Sequence, residues 1–198
     1  MYLEQATINS LQQRKHMYNE LLSMKKQVYE INKKNGFWEE APTRFLYQER
    51  VMLIITELSE AVEALRKGKL YNPAMFPSNT MSGTSPEFLL HVKDTVGDEV
   101  ADAVIRLLDT IEGFELNVLP NVDTTLWTNA DRFQPPSFTA HVFQIIKNIF
   151  TGNSFPVGEV LLADLITLAY HYKIPLMQHV KWKLEYNATR PYKHGKQF

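Results

Sequence analysis

Two pairs of acids, Glu57 with Glu60 and Glu99 with Asp102, repeat one spacing, i and i+3, in a chain of 198 residues. On an α-helix that spacing brings both side chains of a pair to one face. Leu53 and Ala64 extend the first face by one turn in each direction, and Ala61 is small enough to let another helix approach closely. Thr95 and Arg106 continue the line of the second pair, while almost every other direction of that helix is apolar. Burying one unpaired carboxylate costs several kcal/mol, and converging carboxylates also repel one another, so a positive charge must compensate. Arg106 is the strongest internal candidate on these faces. Oxygen-only ligation without His or Cys suits a hard cation, so Mg²⁺ or Mn²⁺ is the natural partner. A pair of such ions can polarise a phosphoryl oxygen, activate water and neutralise a leaving group. Either pair alone reads as a hydrated helix face; two pairs in apolar surroundings on consecutive helices favour a metal site.

The elements that must position these acids are helical throughout, and no stretch shows strand-like alternation bounded by turn signals. A polar helix is expected over 8–35, ending at Asn35-Gly36, a left-handed stop signal. A second runs from about Thr43 to Lys67, with Val51, Ile55, Leu58, Val62 and Leu65 forming the seam of a bundle helix. A third is expected from about Pro86 to Ile111, packing through Val100, Val104, Leu107, Leu108 and Ile111. Between them, residues 68–86 hold two Gly and three Pro in nineteen positions and read as a loop. A second irregular stretch, 117–137, precedes helices at about 138–151, 158–173 and 175–188. The fold class is all-α, read as a single domain over 1–198 whose first half, 1–116, carries both acid pairs and whose second half, 117–198, ends in a basic tail.

The totals exclude several function classes. At 44% hydrophobic and 22% charged, the chain has the composition of a folded globular protein. Lys plus Arg total 21 against 22 for Asp plus Glu, so no global positive field exists to hold a nucleic-acid backbone, and phosphate binding must be local. Without cysteine there is no disulfide framework, thiolate zinc site or Cys nucleophile. No run of about 18 apolar residues could span a bilayer, and no apolar leader opens the sequence, which points to a cytoplasmic protein.

The stretch ITELSEAVEALRKGK (55–69), followed after a loop by DTVGDEVADAVIRLLDTIEGFEL (94–116), resembles the ExxE and ExxD signature of the MazG-like, all-α NTP pyrophosphatase superfamily, which includes dimeric dUTPases and dCTP pyrophosphatases. The C-terminal KLEYNATRPYKHGKQF is similar to the lysine, asparagine, arginine and His-Gly-Lys tail of many members, and NGFWEE stands where relatives place an aromatic near the nucleotide base. The resemblance implies a four-helix active-site unit, hydrolysis of a nucleoside triphosphate to monophosphate and pyrophosphate, and Mg²⁺ held by Glu57, Glu60, Glu99 and Asp102. It further implies that Lys183, Asn187, Arg190 and Lys196 contact phosphates or sugar and that Trp38 stacks on the base. A homo-oligomer, a dimer or a dimer of dimers, is expected with it. From Lys181 to Phe198 five Lys or Arg accompany one acid, a composition that suits an anion. His194 reads as a turn or surface residue rather than a base.

Two features depart from the family pattern. The 38 residues between Glu60 and Glu99 are more than usual, so 68–92 is expected to form a lid or dimer element. After Leu116 the pattern echoes itself: His141 and Gln144 align with Glu57 and Glu60, and Glu159 and Leu162 with Glu99 and Asp102, as in a degenerate duplication that lost its ligands. The expected chemistry is metal-assisted hydrolysis, with a carboxylate or metal activating water and Arg190 or Lys196 stabilising the departing pyrophosphate. A dedicated dUTPase or dCTPase is one alternative; a non-catalytic helical nucleotide-binding or interaction module is another.

Overall fold

The structure is a computed structural model that describes residues 2–72, 81–120, 127, 135–151 and 158–195. Among the described residues it contains helices and no strand, as the periodicity predicts. The helices are α1 (Tyr2–Ser23), α2 (Lys25–Lys34), α3 (Arg44–Arg66), α4 (Pro86–His91), α5 (Val96–Gly113), α6 (Phe138–Thr151), α7 (Gly158–His171) and α8 (Leu176–Ala188). A short left-handed turn over Tyr192–Gly195 follows. No single described helix is long and apolar enough to cross a membrane.

Local signals set the ends of the helices that matter most. Thr43 caps α3 by accepting from the Leu46 amide at 3.1 Å. At the other end Gly68, with φ +67°, lets the Lys69 amide reach back to the Ala64 carbonyl, a Schellman stop. The end of α2 is built alike: Gly36 has φ +84°, and the Phe37 amide donates to the Asn32 carbonyl. The expected stop at Asn35-Gly36 is therefore present, but 8–35 is two helices rather than one, separated at Met24.

The helix expected over Pro86–Ile111 is also divided. Ser85 caps α4 and Thr95 caps α5, its hydroxyl accepting from the Asp98 amide at 3.4 Å. Asp94 adopts φ +60° at the corner, a conformation open to Asp because its short polar side chain can bond locally. This break places Asp98 and Glu99 in the first turn of α5, where the helix dipole favours negative charge.

α5 is the central helix, buried along almost its whole length. It packs most extensively on α3, and also on α2, α7 and α8. Ala61 and Ala64 of α3 and Ala101 and Ala103 of α5 are buried, and side chains this small allow backbones to approach closely. α6 packs on α3 and α7, leaving α7 between α1, α5 and α6.

His141 of α6 is 6% exposed, beside the rings of His171 and Tyr172. Burial, with His171 adding, pushes its pKa down to about 4. A histidine that resists protonation only when folded contributes stability in full above about pH 6.5 and loses it as pH falls towards 4. His141→Gln should therefore flatten the difference in melting temperature between pH 7 and pH 4.5, relative to wild type, by the equivalent of roughly 2 kcal/mol. Parallel pH dependences in the two proteins would remove His141 as the cause.

Candidate functional site

Four helices and the tail converge on one polar cavity of about 180 Å³. α2 contributes Asn32; α3 contributes Glu57 and Glu60; α5 contributes Glu99, Asp102 and Arg106; α8 contributes Lys183 and Asn187. Arg190 and His194 close it from the tail, and Lys93 and Asp94 from the α4–α5 corner. The four acids, Asn187, Arg190 and Lys183 thus line one cavity, although the two acid pairs are 39 positions apart from Glu60 to Glu99 and α8 lies some 80 residues further on.

Glu57, Glu60 and Glu99 each present an oxygen within 4.8 Å of the other two, close enough to hold one ion together. Glu57 and Glu99 are both 6% exposed, whereas Glu60 is open to solvent. Burial, with Asp102 and Glu60 adding repulsion against the pull of Arg106, raises Glu57 to about 7. Glu99 is raised further, to about 8, mainly by burial, with Asp102, Asp98 and Glu57 outweighing part of the pull of Lys183. Oxygen-only donors, two of them buried and strained by like charge, match the preference of a hard divalent cation, so the residues fit Mg²⁺ or Mn²⁺.

Two internal cations offset part of this charge. Arg106 Nε donates to Glu57 Oε1 at 3.1 Å, as the pattern on α5 suggested. The second is Lys183, 4% exposed, whose Nζ donates to Asp98 Oδ2 at 2.6 Å and to Asp102 Oδ2 at 2.8 Å. Lys183, for which a phosphate or sugar contact is expected, lines the cavity and there bridges two carboxylates of α5. Asp98 and Asp102 hold the lysine pKa well above its usual value despite burial. Desolvation raises Asp98 in turn, yet with an ammonium and the Asp94 amide at 2.9 Å on one oxygen the pair is an ion pair at neutral pH.

Asp98 is the residue the acid pattern missed. It is fully buried, and its Oδ1 has no partner among the described residues. Its signal was the i, i+4 relation to Asp102 on the same α5 face. Asn187 leaves a buried Oδ1 unpartnered at the cavity. A fourth buried acid, Asp109, is 1% exposed one turn beyond Arg106.

Trp38 lies elsewhere. Its indole N–H donates to Asp109 Oδ1 at 2.8 Å, and its ring packs against Tyr29, Phe114 and the guanidinium of Arg50, which sits 4.7 Å from the ring centroid. Gly113 makes room for it, since a Cβ there would come within 2.2 Å of the ring. The half-buried ring is not among the side chains that line the acidic cavity. Trp38→Phe should cost about 1–3 kcal/mol, the scale of a buried acceptor losing its donor, while leaving the kcat/KM of any triphosphate hydrolysis within about threefold. A much larger loss of kcat/KM in a fully stable variant would restore the base-stacking role.

The tail is clasped onto the end of α2. The Lys193 amide donates to the Asn35 carbonyl at 2.7 Å, Asn35 Nδ2 donates to the Asn187 carbonyl at 3.2 Å, and Lys193 Nζ pairs with Glu39 at 3.2 Å. Tyr192 donates to Glu39, and its ring lies over Gly36, where a Cβ would come within 2.1 Å. His194 sits in a left-handed turn with its ring edge-on to Phe37, consistent with a turn residue. Lys196 lies outside the described residues. A neighbouring cavity of about 190 Å³ shares this clasp, lined by Phe37, Leu46, Arg50, Leu53 and Lys193 among others.

The aligned residues of the second half hold no place at the cavity. His141 is in the core, Gln144 donates to Asn148, and Glu159 accepts from the Leu119 amide at 2.7 Å. Comparison with protein-family models, with curated proteins and with solved structures finds no match.

Proposed function

We propose that this chain is a metal-dependent nucleoside triphosphate pyrophosphohydrolase, releasing pyrophosphate and a nucleoside monophosphate. One observation carries the reading: three carboxylates from α3 and α5 gather within 4.8 Å of one another on the wall of a cavity that Arg190 and Asn187 also line. Glu57, Glu60 and Glu99 would hold Mg²⁺, with Asp102 beside them. Bound there, the ion supplies charge neutralisation at phosphoryl oxygens and a water of lowered pKa.

The chain's own residues divide the remaining work. Arg106 fixes the orientation of Glu57, and Lys183 fixes Asp102 through its second hydrogen bond. Arg190, half-buried and stacked 5.6 Å over the Tyr186 ring, is a preorganised guanidinium for a phosphate. Asn187 offers an amide beside it. The adjoining cavity between Phe37 and Leu53 gives the nucleoside a place on the α3 side of the acids. Its walls would set the choice among bases, and so decide between a dedicated dUTPase or dCTPase and a broader enzyme.

The deciding experiment measures pyrophosphate release from a panel of dNTPs and NTPs with Mg²⁺. Turnover on at least one substrate, reduced at least about a hundredfold by Glu60→Gln, is expected. No Mg²⁺-dependent release from any of them would overturn the reading. Arg190→Ala should lower kcat/KM by roughly 1.5–3 kcal/mol of transition-state stabilisation without unfolding the protein. An unchanged kcat/KM would leave the tail a structural clasp only.

A second reading draws on the two internal cations: Arg106 and Lys183 already neutralise part of the acidic charge, as a non-catalytic helical module would require. Mg²⁺ titration separates the two, because that module would gain no stability from the ion.

A further inference from the structure

A larger cavity, of about 340 Å³, touches the first turn of α5 at Val96 and Gly97 but shares no lining residue with the acidic cavity. Its walls are mostly apolar, with Leu65, Phe138, Tyr172 and Ile174 prominent among them. Lys173, exposed at the rim, is its one charged lining residue among those described. That volume is in the range of small-molecule sites, which combine apolar walls with a few polar groups that fix orientation.

The polar group here is His179 of α8. It is 1% exposed, and neither ring nitrogen has a hydrogen-bond partner among the described residues. Tyr71 and Trp182 hold the ring at right angles, with centroids 5.3 and 5.5 Å away. Gly97 admits it, since a Cβ at that position would lie 2.5 Å from Nε2. Burial, helped by the charge of Lys183, pushes its pKa down to about 4, so the imidazole is neutral and offers one donor and one acceptor. A buried polar ring left unpartnered is destabilising, and the one charged lining residue, Lys173, is exposed to water, so the mostly apolar walls suit an uncharged ligand.

We propose that this cavity binds a small neutral aromatic molecule carrying one hydrogen-bonding group, with the ring held by the apolar walls and the polar group bonded to His179. The site stands apart from the pyrophosphohydrolase reading and does not depend on it. His179 lies one turn before Lys183 on α8, and Gly97 lies next to Asp98 on α5. The ligand therefore rests on the two turns that carry the Lys183–Asp98 ion pair.

Phenol is the probe. In a titration of the full chain, isotope-labelled on histidine rings and methyl groups, saturable shifts of the His179 ring signal are expected. Nuclear Overhauser contacts from phenol to the methyls of Leu65, Val96 and Ile174 should accompany them. His179→Phe, which keeps a ring in place without its nitrogens, should weaken phenol binding about tenfold, the effect of losing one hydrogen bond, and should spare toluene. Equal phenol affinity in wild type and variant would overturn the proposal. If the variant does not fold, the wild-type contacts decide: their presence supports the site, and their absence, or phenol lodged elsewhere, overturns it.

Discussion

Glu99→Gln is expected to melt several degrees above the wild type in EDTA and below it in millimolar Mg²⁺, while losing at least about a hundredfold in turnover. Without metal, Glu99 is buried among Glu57, Asp98 and Asp102, and the strain is visible as a pKa raised to about 8. An acid raised in this way favours the fold when protonated. Its stabilising contribution is complete below about pH 4.5, the ordinary value, and disappears as pH rises through about 8. The metal-free wild type should accordingly be more stable at pH 6 than at pH 8, and the glutamine variant should show much less of that slope. Mg²⁺ should reverse the order, because on the proposed reading only the full carboxylate set gains its binding free energy. Paired melting curves in EDTA and in Mg²⁺, at both pH values, test all of this. A Glu99→Gln protein less stable in EDTA, with no crossover on adding Mg²⁺, would return these acids to a structural role.

The second large effect concerns the lysine that bridges α8 to α5. Lys183→Met should destabilise the protein by about 3–5 kcal/mol, because it leaves Asp98 fully buried without its counter-charge. Adding Asp98→Asn to the same chain should recover much of that loss, since the desolvated charge is then gone as well. Urea unfolding of the two single variants, the double variant and the wild type measures the coupling directly. A Lys183→Met protein of wild-type stability whose kcat/KM has collapsed would instead mark Lys183 as a substrate contact.

The acid pairs were legible because their signal is local: two positions on one turn, framed by residues of known polarity, define a face without any tertiary knowledge. The helix ends at Thr43, Gly36 and Gly68 were legible for the same reason, each being fixed by one capping or left-handed residue. The break before α5 escaped notice because apolar periodicity runs on through Val92 and Val96, and the left-handed corner falls on Asp94 rather than on a glycine. Longer-range partners were hidden altogether. Lys183 and Asp98 are 85 positions apart, and only the docking of α8 on α5 reveals that the lysine faces inward to acids. Trp38 illustrates the same limit, since an aromatic beside a site and an aromatic bolted to Asp109 look alike in one dimension.

The clasp of the tail on α2 has a consequence in the time domain. The turn at Asn35–Gly36 and the chain from Asn187 to Gly195 share hydrogen bonds in both directions, and the Tyr192 ring occupies the space where any residue but glycine at 36 would carry its Cβ. Neither segment can open alone without breaking the same contacts, so the two should exchange amide hydrogens as one cooperative unit. The amides of Phe37 and Lys193, 156 positions apart, would then share one opening rate. Gly36→Ala would accelerate both together while the protection of α5 stays at the level of global unfolding. The cavity that Arg190 and His194 close would admit and release its contents at the rhythm of that opening.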